Sequence, residues 1–370
     1  MEIKIKTLTP IWTGGINRCS KELRETSLIG SLRWWFEALV RGLGCYACDP
    51  NRETKCVFDS SDNRSIGKQI CPVCYVFGTT GWQRRFRIEV KDKNLENLPF
   101  SKIVVNNNRG WFLGSSNRKT RKEYGGFFGT FILKFYVIDN DFENYKNLLY
   151  LISSLAANWG IGGKISFGFG VCKIETRFDI EKTIDFLLDL KVKFNQLDKK
   201  EVKKRCLDYP NFKDFFFAKI KINEENIKSE TILKYIYSPN KEKLKEIYEK
   251  YGFYPTSPIV RYWLRNLFRY DKSLRHYLFG FVSIGSNKHN KELSTGSKIF
   301  VSNIYKINNH WEFKIWGYIP KSKNKAKDIL EEKIKNKEFS KYLKLDKNSI
   351  DVEWVNANLE IKHLLPKIIG

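Results

Sequence analysis

The sequence holds one methionine, four histidines and ten prolines, and no run of about eighteen apolar residues. The missing run excludes a hydrophobic helix crossing a bilayer. The opening MEIKIKTLTP lacks the apolar core of an export signal, so a soluble, cytoplasmic protein is expected. Acidic residues are scarce: 41 Asp and Glu against 66 Lys and Arg give a net charge of +25. That imbalance favours a polyanionic partner, because each phosphate contact releases condensed counterions. In the lysine-rich KSKNKAKDILEEKIKNKEFSKYLK the charge reads instead as a solvated surface. The histidines (His276, His289, His310, His363) all fall in the second half, so the first half lacks the usual neutral-pH base. There is no P-loop or dinucleotide fingerprint. Asp59 and Asp62 sit in a cysteine-rich stretch and Asp139 and Asp141 flank a turn, which makes no two-metal carboxylate cluster. No enzyme and no small-molecule substrate are expected.

What is present is organised around Thr26–Arg85. Leu28, Leu32, Trp35 and Leu39 recur at helical spacing, widened by Ile29, Phe36, Val40 and Leu43 into a broad apolar stripe. Thr26 is placed to cap this helix and Gly42 or Gly44 to end it. The other face carries Ser27, Ser31, Arg33, Trp34 and Arg41, with Arg33, Glu37 and Arg41 spaced as i,i+4 ion pairs on a wet surface. The helix then returns: LRWWFEALVR (Leu32–Arg41) matches VRYWLRNLFR (Val260–Arg269), and each is followed by Phe-Gly, at Phe77-Gly78 and Phe279-Gly280. The offset is 228 residues at the arginines and 202 at the Phe-Gly pairs. The 26-residue difference is about the length of Cys45–Cys71, so a duplicated domain with a cysteine-bearing insert in its first copy is the simplest reading.

Strand and helix signals in chain order give β-α-β-β-α-β twice, an α+β fold with two tandem ferredoxin-like domains. The first covers residues 1–178 with the insert at 45–74. A polar helical linker follows at 179–212, and the second domain covers 213–370. Residues Asn223–Thr256 fall outside the repeat and read as an inserted helical piece, and Lys298–Ile307 reads as one strand.

Five cysteines lie close together: Cys45, Cys48, Cys56, Cys71 and Cys74. Two C-x-x-C pairs 22 residues apart have structural-zinc spacing, and four thiolates leave no open coordination position for catalysis. Either Cys45 or Cys56 is spare. Cys19, Cys172 and Cys206 are isolated and read as ordinary core or surface residues.

TPIWTGG (Thr9–Gly15), ETSLIGSLRWWFEALVRGLG (Glu25–Gly44), YACDP (Tyr46–Pro50) and CPVCYVFGTTGWQRRF (Cys71–Phe86) resemble the RAMP superfamily of CRISPR-associated proteins, most closely the first subunit of the type III-B Cmr effector complex. GIGGKISFGFG (Gly160–Gly170) fits more loosely. The resemblance implies tandem ferredoxin-like domains and a non-cutting subunit that contacts guide RNA towards its 3′ end and helps engage target RNA, with other Cmr subunits as partners. It also favours Cys48, Cys56, Cys71 and Cys74 as zinc ligands, since related stretches carry Gly at the position of Cys45.

RNA contact calls for cations, flat rings and glycines that let a backbone approach. Three regions combine them. The first is Arg18, Lys21, Arg24, Ser27, Ser31, Arg33, Trp34 and Arg41. The second is Trp82, Arg84 and Arg85 with a loop bearing Arg109, Trp111, Arg118, Lys119, Arg121 and Lys122. The third is Gly160, Gly162, Gly163 and Lys164. The rival expectations are a guide-processing endoribonuclease and a pure assembly module.

Overall fold

The computed structural model describes residues 1–14, 22–50, 55–98, 102–104, 110–112, 126–175, 178–194, 209–223, 227, 230, 234, 236–237, 241–281, 295–357 and 361–369. The first half runs β1 (Glu2–Thr7), α1 (Glu25–Gly42), α2 (Ile66–Gln69), α3 (Pro72–Phe77), β2 (Phe86–Leu98), β3 (Lys102–Val104), β4 (Gly110–Phe112), β5 (Gly126–Val137), α4 (Phe142–Trp159), β6 (Cys172–Ile174) and α5 (Ile180–Lys193). The second runs β7 (Phe215–Asn223), β8 (Ile236–Tyr237), α6 (Lys241–Tyr251), β9 (Phe253–Tyr254), α7 (Ser257–Leu267), α8 (Lys272–Phe279), β10 (Ile299–Val301), β11 (Ile304–Ile307), β12 (His310–Tyr318), α9 (Asn324–Lys335), α10 (Ser340–Leu343), β13 (Ile350–Asn356) and α11 (Ile361–Ile369).

The fold is α+β with antiparallel sheets. In the first sheet the order is β2-β5-β1-β6. In the second it is β13-β7-β12-β11-β9, with β10 also on β12. In both, the opening strand lies between the last two strands of its sheet, β1 between β5 and β6 and β7 between β12 and β13. Alternation in β1 decides which face is covered: Ile3, Ile5 and Thr7 point inward, while Glu2, Lys4 and Lys6 face solvent. The inward face meets Leu28, Leu32, Phe36 and Leu39 of α1, all fully buried. Each such side chain stabilises the fold by about 1.5–3 kcal/mol over its exposed state.

The two cores interlock. Phe215, Phe217 and Trp316 join the first core, while Leu8, Phe169 and Val171 join the second. Trp159 at the end of α4 packs its ring 4.6 Å from that of Phe217 and 6.0 Å from that of Trp316. The closing helix α11, which periodicity did not flag, returns to the first half: Trp159 Nε1 donates to Ile368 O and Asn158 Nδ2 to Ile369 O, each at 2.8 Å.

Other departures have local causes. α1 begins at Glu25 after an extended Arg24 that offers no capping side chain, so Thr26 lies inside the first turn. The expected strand 298–307 breaks at Ser302-Asn303, where Asn303 Oδ1 accepts from Ser257 N and Ser302 Oγ from Lys314 N. Both residues are fully buried, so these bonds satisfy groups that would otherwise be costly to bury. The expected inserted helix is α6, flanked by the two-residue strands β8 and β9.

Candidate functional site

The insert folds back so that Cys48, Cys56, Cys71 and Cys74 are all buried, with their sulfurs within 4.8 Å of one another. Cys45 stands apart from this group. Zinc–sulfur bonds of ~2.3 Å place tetrahedral sulfurs roughly 3.8 Å apart. The Cys48–Cys74 and Cys48–Cys71 separations of 3.3 and 3.9 Å bracket that value. The donor set suits a closed structural site, and these four residues could hold a metal. Backbone amides already serve the sulfurs: Cys71 N–H donates to Cys56 Sγ and Cys74 N–H to Cys71 Sγ. The neighbouring thiols of Cys48, Cys56 and Cys71, with the Arg33 charge, hold the Cys74 thiol well below its ordinary range.

Arg33 lies on the cysteine side of α1. Its Nη2 is 3.3 Å from Cys74 Sγ, its Nη1 donates to Gly78 O at 3.3 Å, and its Nε to Glu37 at 2.9 Å. Arg41 also turns inward, donating to Pro210 O and Ala47 O and lying over the Tyr209 ring. The i,i+4 pairs Arg33–Glu37 and Arg41–Glu37 therefore exist, but on a buried face rather than a wet one, with side-chain exposures of 8–16%.

The cysteine-distal side of α1 forms one wall of a cleft of about 690 Å³. Ser27, Gly30, Ser31 and Trp34 supply that wall, Gly160, Gly162 and Gly163 the floor, and Phe300, Trp316 and Tyr318 of the second sheet, with Lys298 just before β10, the far side. Ser31 Oγ ties helix to loop, accepting from Gly162 N at 2.8 Å and donating to Gly162 O at 3.1 Å. Trp35 Nε1 adds a bond to Gly160 O. Gly162 has φ +86° and a Cβ there would sit 2.6 Å from Trp12 O, so only glycine lets the loop come this close. Trp12 lies across Gly163, whose Cβ would meet its ring at 2.6 Å, and the Lys164 ammonium is 5.2 Å from that ring. Burial lowers the Lys164 pKa. Residues 4–173 match the RAMP superfamily. No curated protein matches the chain.

The RAMP-matching segment thus contains the cysteine cluster, α1 and the glycine loop, but not the far wall of the cleft. Of the sequence-predicted residues, Ser27, Ser31, Trp34, Gly162 and Gly163 line the cleft and Lys164 stands beside it. Trp82, Arg84 and Arg85 form a separate cluster. Trp82 packs on Phe58 and Tyr75, the Arg85 guanidinium lies 4.2 Å above Trp82 and 3.6 Å from Asp139, and Arg84 Nε donates to Phe86 O. Arg24 pairs with Glu22 at 3.2 Å. Arg18, Lys21, Arg109, Arg118, Lys119, Arg121 and Lys122 lie outside the described residues. Gly30, Gly296, Phe300 and Tyr318 escaped the sequence reading; Gly30, a glycine inside a strong helical pattern, was the one available signal.

Proposed function

We propose that this chain is a non-catalytic RNA-binding subunit of a CRISPR RNA-guided effector of the type III-B Cmr kind. On this reading two tandem ferredoxin-like domains, 1–178 and 213–370 joined by 179–212, carry a structural zinc on Cys48, Cys56, Cys71 and Cys74. The subunit contacts guide RNA near its 3′ end and helps capture target RNA beside other Cmr subunits in the cytoplasm. The match of residues 4–173 to the RAMP superfamily supports the family part. The observation that carries RNA binding is the cleft, where rings, hydroxyls and close-approach glycines meet in a protein of net charge +25. Among the described residues its wall includes no histidine and no carboxylate, which suits holding a strand rather than cutting it.

The test is incubation of purified protein with end-labelled single-stranded RNA across a salt series. Binding that weakens steeply with salt, with the RNA intact, is the expected result. Discrete cuts abolished by His276→Ala or His289→Ala would replace this reading with the endoribonuclease, and absence of retention at low salt would leave an assembly module. Co-purification from the native host, with sequencing of bound RNA and mass spectrometry of partners, tests the Cmr assignment.

A further inference from the structure

Two glycines of the cleft have no local reason to be glycine. At Gly67, Gly81 and Gly170 a Cβ would fall 2.0–2.2 Å from a carbonyl oxygen. Gly44 needs none of that excuse, since its φ of +85° already disfavours any other residue. Gly30 sits inside α1 in helical conformation, where glycine is a poor choice, and an added Cβ would meet nothing within 4 Å among the described residues. Gly296 likewise has no left-handed φ, and among the described residues nothing lies within 4 Å of its Cβ. Both line the same cleft, from opposite halves of the chain. A bare position with room around it, in a helix that would gain from a side chain, keeps that room for something else.

Resting on the RNA-binding reading above, we propose that the cleft receives one unstacked nucleobase with its ribose from a single-stranded RNA. Gly30 and Gly296 are the two positions left bare for it. The walls fit a flat ring: Trp12, Trp34, Phe300 and Tyr318 offer aromatic surface, and the Trp34 and Phe300 rings stand 6.3 Å apart at 87°. The volume of about 690 Å³ lies within the usual span of small-ligand sites, roughly 300–1,000 Å³, and exceeds what water alone requires. Among the described residues Lys298 is the one cation in the wall, with Lys164 over Trp12, so this lining suits a base and sugar better than a phosphate. Ser27 supplies a hydroxyl at the helix side for a base edge or a 2′-OH.

The experiment uses the full chain and single-stranded RNA oligomers with 2-aminopurine at successive positions, read by anisotropy and 2-aminopurine emission. Wild type is expected to bind with a change in emission at one or a few positions. Gly30→Leu and, separately, Gly296→Leu are expected to abolish that change and weaken binding about 5- to 150-fold, the range for losing one base–aromatic stack. The salt slope stays as in wild type, since no phosphate contact is removed. Gly30→Leu is also expected to melt no lower than wild type, which separates a filled cleft from a damaged fold. Two variants with wild-type affinity and emission would overturn this proposal and leave the RNA reading standing. Loss of binding to a protein partner, with RNA binding intact, would overturn it in favour of a protein ligand. Wild type that retains no RNA at low salt would overturn the RNA reading itself, and this proposal with it.

Discussion

The two arginine helices build the same joint with different partners. In the first half Arg33 reaches the Phe-Gly turn after α3, donating to Gly78 O, with Glu37 and Cys74 Sγ on its other edges. In the second, Arg261 reaches the corresponding turn after α8, donating to Phe279 O at 2.7 Å, Ile299 O at 2.9 Å and Ser297 Oγ at 3.1 Å. The turns agree: Gly78 has φ 83° and ψ 158°, Gly280 φ 71° and ψ 164°. The short helices differ at their starts. Cys71 Sγ caps α3, whereas Asp271 caps α8 by accepting from Leu274 N. The arginine strut is thus common to both halves, and the cysteine insert adds anionic sulfurs around an existing cation. The electrostatics follow. Burial pulls Arg33 down, but Cys74 and Glu37 more than offset it and the net shift is upward. Arg261, among carbonyl dipoles, is lowered by burial and by Arg265 to about 9.

If only the first half depends on its cysteines, removing one should break only that half. Cys71→Ser is expected to release metal, measured by elemental analysis, and to cost on the order of several kcal/mol. Hydrogen exchange should show lost protection around α1, α3 and the insert, with the amides of α7 and β11, whose buried residues belong to the second core, unchanged. Equal loss in both sheets would mean that the halves do not differ in this way. Next in size is the strut itself. Arg261→Met removes the side-chain donor of the buried Phe279 O, while Ser297 Oγ still serves Ile299 O, and should cost about 2–3 kcal/mol in urea unfolding. Arg33→Met, at a side chain still 16% exposed, should cost about 1–2 kcal/mol. The reverse order would undo the contrast between a dipole-held and an anion-held guanidinium.

Much of this contrast was legible before any coordinates. LRWWFEALVR and VRYWLRNLFR carry their register in plain view, and the 26-residue offset locates the insert because an insertion leaves the flanking spacing intact. C-x-x-C spacing left Cys45 and Cys56 as alternatives; the four cysteines that cluster, with Cys56 and not Cys45, are those favoured by the family resemblance. What was illegible depends on docking. Arg33 and Trp34 are neighbours in sequence, and a helix turns them by about 100°, one towards the cysteines and one towards the cleft. Which direction is wet is decided by residues 296–318, far along the chain. Phe300 and Tyr318 carry no local mark of a binding wall, since alternation in a strand looks the same against a core and against a cleft.

Lys314 sharpens the comparison at the seam between the halves, where the second half again buries a cation at a cost its neighbouring anion only partly offsets. Its Nζ donates to Asn158 O at 3.1 Å, lies 3.7 Å from Glu312 Oε1 and stands 4.9 Å from the Trp159 ring centre. Burial lowers its pKa from 10.5 to about 8; Glu312 opposes the shift and Lys219 adds to it. Between those two values the unfolded chain binds more protons than the folded one. Stability should therefore rise with pH across that window, by about 1.4 kcal/mol per unit, and the penalty should be complete and flat below it. Lys314→Met removes this contribution, so subtracting its urea-unfolding free energies from those of wild type at pH 7, 8, 9 and 10 isolates Lys314 from other titrating lysines and tyrosines. A difference that climbs from pH 8 upward is expected. A flat difference would show that Glu312 fully compensates the buried ammonium, and the second half would then hold its cations as the first does.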